Sequence, residues 1–266
     1  MTSGIAHTVG AVSPHTRTRL EKAAADNGFD QTLPASGVEQ GWMAFASTKC
    51  SLWIWLAVDT SGHPLLALSQ AKVAAALDGM TRRSSAPLPL GARALVSVPD
   101  IPLLHGALRR AFQLARTLPD APLRRFEQET KLLPRTTEIE RLVVQRVGQN
   151  IFRESLLDYW EGRCAITDLA VPELLRASHM KPWSQCETDA ERLDVYNGVL
   201  LGAHLDAAFD CGLITFEDDG AVVIARTLVE PARQILGLNH RVTARGFAES
   251  HRPYLAWHRQ HVFRGV

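Results

Sequence analysis

RCAITDLAVPELLRASHMKPWSQCETDAERLDVYNGVLLGAHLDAAFDCGLITF, residues 163–216, is the stretch on which the reading of this chain turns. Leu174 to Met180 and Asn197 to Leu201 have the short, turn-bounded apolar character of strands, and a polar, acidic loop joins them. Pro182 ends pairing just after His179, because proline has no amide hydrogen to give a ladder. Asn197-Gly198 opens the returning strand, which runs straight into one or two helical turns, His204 to Asp210, with Gly212 as the C-cap. Leu213 to Phe216 and Val222 to Ala225 then form a second hairpin across Glu217-Asp218-Asp219-Gly220.

This strand–strand–helix order brings a histidine, an asparagine and a His/Asp pair to one place, and the set suits phosphodiester hydrolysis. A neutral imidazole, His179, can take a proton from water because its pKa lies near working pH. A carboxylate with a histidine nitrogen, Asp206 and His204, can hold one divalent ion against the scissile phosphate. Asn197 can tie the hairpin loop through its amide so that the histidine stays aimed. Each residue also has a plainer reading: a core-edge histidine, a turn asparagine, or a first-turn acid favoured by the helix dipole.

SHMKPW (178–183), NGVLL (197–201) and HLDAAFD (204–210) followed by GLITF (212–216) together resemble the HNH endonuclease family. This is the ββα-metal fold, in its branch without zinc-binding cysteines, and the resemblance runs roughly from Phe152 to Ala225. It implies His179 as the general base and Asn197 as the loop brace, the two residues expected to be catalytic. The family's last motif residue, a metal ligand, falls on Asp206 in place of the usual His or Asn, with His204 two residues earlier as a ligand or its substitute. Where many relatives carry Asp before the first histidine, this chain has Ser178, so the expected ion is Mg²⁺, with Mn²⁺ as the other candidate. Mg²⁺ accepts one or two carboxylates plus phosphate oxygens and water. Lys181 is read as a phosphate contact or a solvated lysine, and Asp210 as support for Asp206 or a helix-end hydrogen bond. Trp183 and Phe209 are expected to pack. No structural zinc is expected: Cys164 stands where zinc-bearing relatives begin a C-x-x-C, but Thr167 fills its second position.

The chain outside this stretch is placed in no family. Its fold class is read as α+β: an amino-terminal α+β module over 1–118, a helical connector over 119–150, the HNH module over 151–225 and a basic extension over 226–266. In the first module Ser13 to Phe29 and Lys72 to Met80 read as helices. Trp42 to Ala46, Leu52 to Val58, Leu65 to Leu68 and Ala92 to Val98 read as strands. Ile101 to Leu118 has helical spacing until Pro119 and Pro122. Thr136 to Trp160 repeats it with a stripe of Ile139, Leu142, Val143, Val147, Ile151, Leu156 and Leu157, capped at Thr136 or Thr137. Arg135, Arg141, Arg146 and Arg153 lie largely off that stripe and read first as a solvated face.

The 266 residues carry 29 basic and 28 acidic side chains, which excludes a wholesale basic coat protein and an acidic disordered chain. That balance hides a pattern. Residues 164–225 hold 3 basic against 11 acidic side chains, and residues 226–266 hold 7 arginines against 2 glutamates. A cation-binding core flanked by phosphate-binding surfaces accounts for both, and Arg252 and Arg259, on a helix from Ser250 to Val262 with Tyr254 and Trp257, are the DNA-contact candidates. A helix packing its aromatics inward explains the same letters. The start of the chain has no apolar core like that of a signal peptide, and the longest apolar run, Leu52 to Val58, is far too short to span a bilayer.

The expectation is therefore a cytoplasmic, metal-dependent DNA endonuclease, by analogy a restriction or defence enzyme, with no membrane partner and a homodimer left open. The amino-terminal module would supply specificity. Two rivals stand beside it: a nucleic-acid-binding protein whose site has lost its metal, and a hydrolase directed at RNA.

Overall fold

The computed structural model describes residues 9–34, 41–77, 80–84, 86–118, 120–134 and 136–265. Pro119 and Arg135 lie outside these. The chain divides into two compact units, Met1–Pro119 and Asp120–Val266, and it is α+β throughout. The segment read as a connector and the basic carboxy-terminal segment both fall in the second unit.

The first unit follows from four short apolar runs and three helices. α1 (Pro14–Asp26) starts at Ser13, whose hydroxyl accepts from the Thr16 amide, with proline at the first helical position. β1 (Gln31–Thr32), β2 (Met43–Ala46), β3 (Ile54–Val58) and β4 (Pro64–Leu68) come next. After them run α2 (Ala71–Ala75), β5 (Arg82–Arg83), β6 (Ala94–Ser97) and α3 (Ile101–Thr117). The strands make one antiparallel sheet in the order β1-β2-β3-β4-β6-β5. β3 and β4 are buried on both faces, so their runs are continuous rather than alternating. α1, α2 and α3 pack together as a layer, with Leu20, Ala24, Leu104 and Leu108 wholly buried. A separate cluster holds Trp42, Trp55, Ala57, Ala67 and Leu95 and is covered by Val9, Leu33 and Ala92. α2 is shorter than the Lys72–Met80 reading, since Leu77 already lies in a turn.

The second unit opens with α4 (Ala121–Thr130) against α5 (Glu138–Tyr159). Thr137 and Glu140 form a complete capping box at the start of α5. The face α5 buries is Val144, Gly148, Ile151, Phe152, Leu156 and Tyr159. The first half of the expected stripe is therefore turned outward, with Ile139 at 75% exposure. The two faces are only about one residue out of phase, which apolar periodicity cannot resolve in a run as rich as LVV.

Under α5 lies the hairpin of β7 (Leu175–His179) and β8 (Gly198–Gly202), with His179 opposite Gly198 and Leu175 opposite Gly202. Their connection carries the short α6 (Asp189–Arg192). β8 passes without a linker into α7 (Ala203–Asp210), and Gly212, at φ +71°, closes that helix. Its amide bonds to the Phe209 carbonyl while the Leu213 amide reaches Ala208, a Schellman closure. β9 (Ile214–Phe216) and β10 (Val222–Ile224) pair antiparallel, α8 (Glu230–Ile235) follows, and α9 (Arg252–His261) packs on β9.

Candidate active site

His179 is the last residue of β7 and half-buried, and its surroundings fix the ring on three sides. Phe152 of α5 stacks on it with centroids 3.7 Å apart and planes 14° from parallel, and Trp183 meets it edge-on at 5.8 Å. Its Nε2 lies 2.9 Å from the Arg192 carbonyl oxygen. A carbonyl only accepts, so Nε2 carries the hydrogen and Nδ1 carries the lone pair. Among the described residues nothing bonds to Nδ1. Burial lowers the His179 pKa to about 4, and the Arg192 carbonyl opposes that only in part, so the ring is neutral at physiological pH.

Asn197 holds the loop that carries that carbonyl. Wholly buried at the start of β8, it accepts from the Lys181 amide at 2.8 Å. Its amide nitrogen donates to the Lys181 carbonyl at 3.1 Å, the Glu191 carbonyl at 3.3 Å and Cys186 Sγ at 3.3 Å. Arg192 adds bonds to the Trp183 and Cys186 carbonyls and to Asp189. Lys181 is drawn into the same brace: its ammonium pairs with Glu191 at 2.6 Å and is largely covered. Glu191 holds the Lys181 charge in place and raises its pKa, so this lysine is occupied with the loop rather than presented to a phosphate.

A cleft of about 380 Å³ opens beside His179, and its lining includes Ser178, Trp183, Asp210 and His258. The buried Ser178 hydroxyl donates to Asp206 Oδ1 at 2.5 Å, tying β7 to α7. Asp206 and Asp210 stand one turn apart on one face of α7. Asp210 sits high for a carboxylate, at about 6, because it is partly desolvated and faces the Asp206 charge. His204 is not brought to this face. It is two residues from Asp206, about 200° around the helix, exposed, and its ring folds back toward Gly202. Among the described residues there is no cluster of three or more His, Cys, Asp or Glu side chains arranged around a metal position. Asp210 lines the cleft and Asp206 stands one turn before it on the same helix face; oxygen donors of this kind fit a hard ion that keeps water and takes phosphate oxygens, and not zinc.

His258 escaped the sequence reading. It is buried under α9, stacked on Phe209 at 3.8 Å and 4°, with Nε2 at 3.2 Å from the Phe209 carbonyl and Nδ1 at 2.9 Å from the Thr215 hydroxyl. A weak sequence signal existed: Leu255 and His258 share the buried stripe of a helix otherwise studded with polar residues. The DNA-contact candidates are paired at home. Arg259 donates to the Phe216 carbonyl and to Asp218 at 2.8 Å, and Arg252 lies within 4 Å of Asp218 and Glu249. Tyr254 bonds Asp194, so α9 is tied to the hairpin connection. Cys164 accepts the Gly202 and Thr167 amides and stays a buried structural thiol.

Residues 164–217 match the HNH endonuclease family. No curated protein matches the chain.

Proposed function

We propose that the HNH endonuclease domain at residues 164–217, with the elements packed on it, hydrolyses DNA phosphodiester bonds with His179 as general base. Nuclease chemistry in general is the property of the matched domain. One observation supports the finer reading: His179 donates Nε2–H to the Arg192 carbonyl, which leaves the Nδ1 lone pair unclaimed on a ring lining the cleft. His179 Nδ1 takes a proton from a water, the water oxygen forms the new bond to phosphorus, and the bond to the 3′ oxygen breaks. That oxygen is protonated from solvent, which leaves 3′-hydroxyl and 5′-phosphate ends.

Asp206 and Asp210 are the residues that would hold a divalent ion, with Ser178 fixing the Asp206 carboxylate. A bound Mg²⁺ or Mn²⁺ supplies neutralisation of charge on the scissile phosphate and leaving oxygen. Asn197 and Arg192 keep the carbonyl that orients His179 in place. The excess of acidic side chains in this block then has a use as a cation site, while contact with the DNA backbone falls to arginines elsewhere in the chain. A role in restriction or defence, with specificity supplied by the first unit, is part of this reading.

The test is a substrate panel of supercoiled plasmid, linear duplex and single-stranded RNA, incubated with Mg²⁺ or Mn²⁺ and wild-type or His179→Ala protein. Cleavage of the DNA substrates by the wild type alone is the expected result. A marked preference for RNA overturns the DNA assignment, and DNA binding without cleavage by either protein makes the domain a binding module.

A further inference from the structure

Phe152 lies on α5, twelve residues before the segment that matches the family begins. It is the only ring stacked face to face on His179 among the described residues, at 3.7 Å and 14°, and it is wholly buried. Its place is cut out by a glycine. A Cβ at Gly198, the residue paired with His179 across the hairpin, would stand 2.6 Å from Phe152 Cζ and 2.6 Å from Leu156 Cδ1. Any side chain at 198 would push Phe152 off the imidazole. Trp183, the edge-on wall, is seated by the same means. A Cβ at Gly148, one helical turn before Phe152 on the same face of α5, would stand 2.5 Å from Trp183 Cη2 and 3.2 Å from Phe126 Cε2. Arg192 lies over the Trp183 ring at 5.9 Å and also lends His179 its carbonyl.

We infer that Phe152 is a positioning residue for His179, so that α5 belongs to the catalytic machinery rather than to a connector. The stacked ring, the Trp183 edge and the Arg192 carbonyl leave His179 one orientation and one tautomer, Nε2–H, with the Nδ1 lone pair unclaimed on a ring that lines the cleft. Leucine at 152 would fill most of the volume but supply no flat face. The ring could then tilt, and misplacement of a reacting group by about 1 Å costs on the order of 10²-fold in rate. Gly148 and Gly198 act one step further out, by making room for the two walls.

This inference rests on His179 being the base, and its test separates the two claims. Phe152→Leu and the control Phe216→Leu, a buried phenylalanine that does not touch His179, are compared at equal folded fraction. In single-turnover DNA cleavage Phe152→Leu is expected to lower kcat by roughly 10- to 10²-fold with KM within about twofold. Phe216→Leu should lose stability without losing kcat. Nitrogen-15 spectra of His179 give a readout that needs no cleavage: Nε2–H alone in the wild type and Phe216→Leu, a tautomer mixture in Phe152→Leu. The inference is overturned if Phe152→Leu keeps the single tautomer, or if its kcat falls no further than that of Phe216→Leu. A wild type that cuts nothing while the tautomer still responds to Phe152→Leu sinks the nuclease reading and leaves the positioning role standing.

Discussion

Two imidazoles in the second unit are held almost identically and differ at one atom. His179, at the end of β7, stacks on Phe152 and gives Nε2–H to the Arg192 carbonyl; His258, on α9, stacks on Phe209 and gives Nε2–H to the Phe209 carbonyl. Burial lowers both to about 4. The difference is Nδ1. On His258 the Thr215 hydroxyl engages it, whereas on His179 no described residue does. Burial, stacking and a lowered pKa thus mark a well-packed histidine of either kind. Both rings line the cleft, and a spare nitrogen is what separates a candidate base from a strut.

The largest effect expected from that contrast is a crossover. His179→Ala should reduce cleavage by about 10²- to 10⁴-fold, the span a general base supplies, with little loss of fold. His258→Ala should keep kcat per folded molecule and lower unfolding free energy by about 3 kcal/mol, as truncation of a buried ring does. Matched urea titrations and single-turnover rates check both, and a rate loss in His258→Ala as deep as in His179→Ala would erase the distinction.

Next comes acid. A third histidine, His251, is wholly buried among Tyr159, Trp160, Tyr196 and Phe247 and is also lowered to about 4. All three take up a proton in the unfolded chain near 6.5 before they do so in the fold. Stability is therefore complete above pH 6.5 and is lost as pH falls from 6.5 toward 4. The two wholly buried rings can contribute up to about 3 kcal/mol each to that loss. Asp210, raised to about 6, runs the other way, because its repulsion from Asp206 is relieved on protonation. One carboxylate does not offset three rings. Urea midpoints at pH 7, 5.5 and 4, followed by hydrogen exchange in α9, should fall in that order, and a flat series would contradict the burial argument.

Asn197→Ala removes the brace common to Lys181, Cys186 and Glu191, leaving buried backbone groups without a partner. A loss of about 1–3 kcal/mol is expected, together with a slower kcat as the Arg192 carbonyl drifts. Asn197→Asp, which lacks the amide donors, should be no better. The smallest effect is Thr215→Val. It frees the His258 Nδ1 at a cost of about 1 kcal/mol and should create no new activity, because the His258 ring is buried at 1% exposure, whereas His179 is only half-buried.

The comparison also shows what the chain's letters make legible. The hairpin and α7 follow from turn residues and short apolar runs, and the positions of His179, Asn197, Asp206 and Gly212 could be read directly. Local geometry is strongly encoded there, by Pro182, Asn197-Gly198 and the helix closure. His204 was harder: HLD puts two polar residues two positions apart, and only the helix's rotation shows that Asp206 and Asp210 share one face while His204 lies on another. Phe152 and His258 owe their importance to contacts between elements distant in sequence, which local patterns carry weakly or not at all. The outward turn of Ile139 on α5 has the same origin, since tertiary packing chose between two nearly equivalent apolar faces. Arg252 and Arg259 show the reverse case, in which basic residues that suggest a phosphate surface are already paired with Asp218.

The central claim, that the Nδ1 of His179 takes the proton in DNA cleavage, is tested most directly by the pH dependence of single-turnover cleavage in wild type and His179→Ala at saturating Mg²⁺. The wild-type rate should rise from acid and level off once the imidazole is neutral, while His179→Ala should be slower by two or more orders of magnitude and lack that plateau. Equal rates with superimposable profiles would contradict the account.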